Sequence, residues 1–326
     1  MPKKRKGIKV KYRLRNWPLY NKALINRGQL TFMITRNIHD FWLEPVPDKR
    51  LPGAQVVFTA KAIEISLQIR ACLKLPLRQT QGFIVGLFEC CGIDLPVPHY
   101  TLLSKRAKEL NIQIRQFKRT EKIELSTETK RLTVDSTGLK IYGEGEWANE
   151  KHKTKLRRDW MKAHIGINEN GDILAAQLTS NKVGDAPIAS ILLTQIRGHI
   201  DEFQGDGAYD STPLHDELDG QWPGIKIVTS PRKDAALSPN AGRDPTQRDL
   251  HILKIQEKGR DAWQAISGYN KRNLVENTMY RYKTIFGGKL KSRKTKNQEV
   301  EFKINCNLLN RMNSLGMPDA YKVKQD

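Results

Sequence analysis

The stretch Ser267–Phe286, SGYNKRNLVENTMYRYKTIF, carries two patterns at once. At about 100° per residue, Tyr269, Arg272, Glu276 and Lys283 return to one polar stripe, while Val275, Met279, Tyr282 and Phe286 share the neighbouring one. A helix that buries the apolar stripe holds the polar stripe at the rim of whatever it packs on. The spacing therefore predicts one helix over 267–286 that offers a carboxylate to a cleft. Arg272 and Glu276 also stand four residues apart, which is the spacing of an ion pair on a plain solvated helix. The stretch becomes a site only if other parts of the chain supply partners.

Two segments qualify. Leu132-Thr133-Val134-Asp135-Ser136-Thr137-Gly138 puts an aspartate at the end of a short apolar strand, and Phe203-Gln204-Gly205-Asp206-Gly207-Ala208-Tyr209-Asp210 does the same with glycines on both sides. Strand ends are where α/β folds offer side chains to a shared cleft. Asp135, Asp206 and Glu276 are 71 and 70 residues apart, so only folding can assemble them.

With these residues the sequence resembles the DDE transposases of bacterial insertion sequences, in the group whose third carboxylate lies in Tyr-x2-Arg-x3-Glu-x6-Lys. Tyr269, Arg272, Glu276 and Lys283 stand in that register. The resemblance also takes in Asn16-Trp17-Pro18, Tyr20 to Leu24, Ser104 to Lys108, Asp135 to Trp147 and Asp206 to Asp210, and so spans most of the chain. It implies a ribonuclease-H-like mixed sheet flanked by helices, with an insertion before the last catalytic helix and an α-helical DNA-binding domain in front. It further implies that Asp135, Asp206 and Glu276 are catalytic and hold two Mg²⁺ (or Mn²⁺) ions. Tyr269, Arg272 and Lys283 would grip phosphates. The partners would be the element's terminal inverted repeats and target DNA, bound by a homodimer or higher oligomer. Three carboxylates without His or Cys suit hard, oxygen-seeking cations on chemical grounds as well.

Charge agrees with a polyanionic partner. The 326 residues contain 56 Lys and Arg against 35 Asp and Glu, a formal charge of +21. Residues 1–130 hold 25 of the basic and 10 of the acidic side chains, which makes this third the expected DNA-binding part. The sequence divides into a basic disordered arm over 1–15, a helical domain over 16–125, a catalytic domain over 126–315 with an insertion near 230–262, and a tail over 316–326. Within the helical part, a helix over 77–91, a Pro turn and a basic helix from His99 outline a helix-turn-helix, with Lys105, Arg106 and Lys108 as DNA contacts. Gln113–Lys130 reads as a linker. Arg157 and Arg158 lie in a basic loop expected beside Asp135.

No run of about 18 apolar residues is present, so no membrane span is expected. Four cysteines without a CxxC pair argue against structural zinc and fit a reducing, cytoplasmic and nucleoid-associated setting. Two alternatives remain open at this stage: a non-catalytic DNA-binding derivative, whose mark would be a lost carboxylate, and a stand-alone metal-dependent nuclease of the same fold.

Overall fold

Apolar alternation and glycine or proline stops cut the chain into strands β1 (Lys11–Leu14), β2 (Arg131–Lys140), β3 (Trp160–Ile167), β4 (Ile173–Ser180), β5 (Glu202–Gly205), β6 (Lys226–Thr229) and β7 (Ala320–Val323). The helices are α1 (Trp17–Arg27), α2 (Ala60–Leu73), α3 (Leu77–Cys91), α4 (Tyr100–Ala107), α5 (Ala186–Leu193), α6 (Thr212–Gln221), α7 (Gln247–Lys258), α8 (Arg260–Ser267), α9 (Asn273–Phe286) and α10 (Thr295–Leu315). The computed structural model describes residues 11–29, 34, 37–46, 56–119, 130–141 and 160–323. The loop carrying Arg157 and Arg158, the first ten residues and the boundary expected near 126 lie outside the described residues.

Five strands form one mixed sheet in the order β4-β3-β2-β5-β6. β2 is antiparallel to β3 and parallel to β5, so it sits at the join between the antiparallel and parallel halves. Side chains alternate across a strand, and β2 shows how the alternation divides the molecule. Leu132 and Val134 enter the core beneath α5 and α6, whereas Leu139 enters the larger core with α9 and α10. Asp135 and Thr137 share the face of Leu139 and look toward α9. On α9, Val275, Met279, Tyr282 and Phe286 are all buried. Burying each such side chain contributes about 2 kcal/mol, against a few tenths from an i,i+4 ion pair. The apolar stripe, not Arg272–Glu276, fixes how the helix lies.

The helix expected over 267–286 is in fact interrupted. Gly268, at φ 78°, ends α8 in a left-handed turn, and a 3-10 turn over Tyr269–Arg272 leads into α9. Tyr269 therefore leaves the helical register of Glu276 and Lys283. From the sequence, Asp185 is the expected cap of a helix over 187–197; it does precede α5, but its side chain makes no capping bond and binds Lys162 instead. Ser211 likewise does not cap α6 with its side chain. The arm expected over 1–15 and the tail over 316–326 meet, since Lys11–Leu14 pairs antiparallel with Ala320–Val323. The expected linker is pinned as well. Asn307 accepts from the Arg115 N–H and donates to the Gln113 carbonyl, and Asn310 donates to the carbonyls of Arg115 and Ile173. These buried asparagines of α10 satisfy backbone groups that no strand partner reaches. One buried cluster joins residues of α2, α3 and α4 to those of β3, β4, α9 and α10.

Candidate active site

Register brings the first two carboxylates together. Thr133 pairs with Gln204 across the parallel β2–β5 ladder, and Asp135 and Asp206 each stand two residues further on. Neighbouring strands are about 4.8 Å apart, so the two aspartates are adjacent where the β5 chain leaves the sheet. Gly205 is required beside them, because a Cβ there would come within 2.9 Å of the Tyr209 Cβ. The chain turns at once: the Asp206 carboxylate accepts from the Ala208 N–H at 2.9 Å and caps a 3-10 turn over Gly207–Tyr209.

Glu276 reaches this pair through Arg272. The guanidinium donates to Asp135 Oδ2 at 2.7 Å through one terminal nitrogen and to Glu276 Oε1 through the other. The two carboxylates thus share a single cation. Arg272 and Asp135 side chains are 14% and 13% exposed, whereas Glu276 is 54% exposed and forms the open lip of the site. The Arg272 Nε is buried without a hydrogen-bond partner among the described residues. Tyr269 lies under the guanidinium, 5.7 Å from ring centroid to Cζ, and packs on Trp263 at 5.2 Å. Lys283 donates to the Thr137 hydroxyl at 2.6 Å, two residues beyond Asp135 on the same face.

Electrostatics mark the same spot. Burial raises the Asp135 carboxyl above the usual range, and the Ser136 N–H and Arg272 lower it less than burial and Asp206 together raise it. Arg272 holds its proton more firmly than usual: burial opposes this, but Asp135, Tyr269 and Glu276 prevail. Tyr209 escaped the sequence reading. It is 1% exposed, its hydroxyl finds no partner among the described residues, and burial with Asp185, Asp135 and Asp206 pushes its pKa well up. Gly205 and Gly207 flanking Asp206 were the available signal, because close approach of a bulky neighbour is one reason a strand end keeps glycine. Thr137 carried no comparable signal.

The remaining expected contacts are dispersed. Lys105 is exposed on α4 and Lys108 just follows it. Arg106 folds back, donating to the Phe58 carbonyl at 3.2 Å and pairing with Glu109 at 3.0 Å. Among the described residues no three His, Cys, Asp or Glu side chains are gathered closely enough to hold a metal ion. The donor set nevertheless suits one. Three carboxylates without His or Cys are the kind of oxygen donor that a hard divalent cation takes. Arg272 supplies positive charge at that place.

Asp135 on β2, Asp206 just beyond β5 and Glu276 on α9 thus stand with an arginine and a lysine beside them. The chain belongs to the DDE transposases: residues 126–310 match the family described as Transposase DDE domain, and residues 25–144 match a second family of the same description. It is also similar to the solved structure described as Drosophila P element transposase strand transfer complex, at 10% identity over 91% of this chain and 86% of that one. The TM-score is 0.26, too low to bear on the fold.

Proposed function

We propose that this transposase belongs to the insertion-sequence group, binds the terminal inverted repeats of its element, cleaves at the element ends and joins the freed 3′-OH to target DNA. Asp135, Asp206 and Glu276 are the catalytic carboxylates in this reading. The observation that carries it is the single guanidinium of Arg272 held between Asp135 and Glu276, with Asp206 on the adjacent strand. The sheet order, with β2 central between an antiparallel and a parallel half, supports a ribonuclease-H-like assignment. Residues 16–125 serve as the DNA-binding part and 126–315 as the catalytic part, with 230–262 as an insertion that leads toward α8.

Asp135, Asp206 and Glu276 would hold Mg²⁺ or Mn²⁺, two ions by the family pattern. Such ions supply the charge that stabilises attacking and leaving oxygens together. Asp135 and Asp206 orient from rigid strands, while Glu276, more exposed, completes the set from α9. Arg272 would bind a scissile-bond phosphate through its planar fork. Lys283, anchored by Thr137, and Tyr269, under the guanidinium, hold the strand in line. The protein would act as a dimer or larger assembly on DNA in the bacterial nucleoid.

The test is an in vitro reaction on duplex DNA carrying the flanking inverted repeats. Cleavage and joining are expected with Mg²⁺ or Mn²⁺, and binding with little turnover in Ca²⁺, which accepts looser geometry. Cleavage without joining would leave a stand-alone nuclease, and full activity in excess chelator would end the metal mechanism.

A further inference from the structure

A cleft of about 990 Å³ lies away from the carboxylates, between the N-terminal helices and the segment that follows α9. Among the described residues its walls carry eight Lys or Arg and no Asp or Glu: three from the 70–78 stretch, Lys105 from α4 and four from 289–294. Along α4 and its C-cap the exposed residues Thr101, Ser104, Lys105 and Lys108 follow helical spacing and so form one stripe, and the first three line the cleft.

Gathering this much like charge is unfavourable unless a partner relieves it. Two further details point the same way. The Nε of Arg70 is buried and has no hydrogen-bond partner among the described residues, and the nearest carboxylate, Glu301, lies 3.8 Å from that guanidinium and is already bound to the N–H groups of Lys291 and Ser292. Lys74 ends α2 in the left-handed region, at φ 56° and ψ 30°, as the sole non-glycine with positive φ among the described residues. Glycine fits that position without strain. A lysine there keeps a cation on the cleft wall against the local backbone preference, and strained positions of this kind gather at functional sites.

The cleft is also tied to the candidate active site. Lys140 donates its N–H to the Gly288 carbonyl at 2.9 Å and accepts from Leu290 at 2.8 Å, so the end of β2 carries the cleft's edge. Asp135 precedes Lys140 by five residues on that strand, which at about 3.4 Å per residue is about 17 Å. Along duplex DNA, rising about 3.4 Å per base pair, the same length is about five base pairs.

We propose that this cleft seats the phosphate backbone of the substrate duplex about five base pairs from the point of cleavage, so that the N-terminal helices and the segment after α9 clamp one DNA segment between them. The proposal rests on the reading of the protein as a DNA transposase and adds the surface and its distance from the chemistry. Burial, Arg70 and Lys74 lower the Lys291 pKa, with Glu301 opposing, in keeping with a pocket short of negative charge.

The test uses full-length protein without divalent ions, so that binding is read apart from cleavage. Against mixed-sequence duplex DNA several helical turns long, Arg78→Ala, Lys105→Ala, Arg293→Ala and Lys294→Ala combined should weaken binding about 30-fold or more. They should also lower the slope of log K against log salt by about 3 to 4. Lys182→Ala with Arg197→Ala, two exposed cations on other loops, should change that slope far less. Lys74→Gly gives a second reading independent of fold loss, because it relieves the backbone while removing the charge: the melting temperature should hold or rise while DNA binding weakens. On a duplex carrying an inverted repeat, ethylation interference should appear about five base pairs from the cut. An unchanged slope and affinity in the fourfold variant overturns the clamp, while cleavage by wild type leaves the transposase reading intact. Wild type that binds no DNA overturns both.

Discussion

Two arginines bring helices to aspartates near Asp206, and they close differently. Arg248 of α7 meets Asp210 with Nε at 2.9 Å and one terminal nitrogen at 3.1 Å, and gives its last terminal nitrogen to the Ala236 carbonyl. The Asp210 side chain is fully buried. Its neighbour Asp249 completes a capping box on α7: burial would raise its pKa, but bonds from Ser238 and Thr246 bring it to about 2. Arg272 instead divides itself between Asp135 and the exposed Glu276 and leaves Nε buried without a partner among the described residues. A saturated pair holds a fold together. A divided one, with a raised carboxyl and an open lip, is an arrangement that can be rearranged by a ligand.

The largest expected effect separates the two in activity. Asp135→Asn or Glu276→Gln should lower cleavage by at least about 10²- to 10³-fold, with DNA binding within a few fold and the fold kept. If either variant lost binding in step with cleavage, the carboxylates would be structural like Asp210. Conversely, Arg248→Met strands a buried carboxylate and should cost about 3 to 5 kcal/mol in denaturant unfolding. Its residual activity should track the folded fraction.

A third polar contact, on the opposite face of the sheet, gives a pH signature. His164 is fully buried, with Nε2 at 2.8 Å from the Thr179 hydroxyl and Nδ1 at 3.4 Å from Asp185. Burial lowers its pKa to about 4, which Lys162 reinforces and Asp185 opposes. The unfolded histidine takes a proton near pH 6.5 that the folded one refuses, so stability is full above that pH and is lost as pH falls toward 4, by about 3 kcal/mol. His164→Gln should flatten this dependence in urea midpoints measured across that window. An unchanged slope would show that His164 does not stay neutral in the fold. The smallest effect belongs to Arg272→Lys. One ammonium cannot span two carboxylates as the guanidinium does, yet Glu276 is half exposed, so the stability loss should be about 1 kcal/mol. A loss as large as that of Arg248→Met would make the two arginines equivalent.

The stripe Val275, Met279, Tyr282 and Phe286 was legible in the sequence because helical periodicity and burial are the same fact seen twice. The two strands that carry Asp135 and lead to Asp206 were legible as short apolar runs, but β2 does not end at Asp135 as expected: it runs on to Lys140 because its ladder with β3 continues. The break at Gly268 was not legible, since an isolated glycine in a helical pattern can be tolerated or can end it, and only the packing of Tyr269 on Trp263 and under Arg272 decides. Asp185 looked like a cap from its position alone, but a lysine and a histidine from β3 compete for its carboxylate.

The sequence by itself determined which residues alternate, which stripe is buried and how much positive charge seeks a partner, because these depend on neighbours along the chain. Only the tertiary structure decided that Asp135 and Asp206 stand on adjacent parallel strands, that Arg272 links Asp135 to Glu276, and that cations from residues 70–78, 105 and 289–294 line one cleft. Those are contacts between residues dozens to hundreds of positions apart, fixed by strand register and by which apolar faces must be buried together.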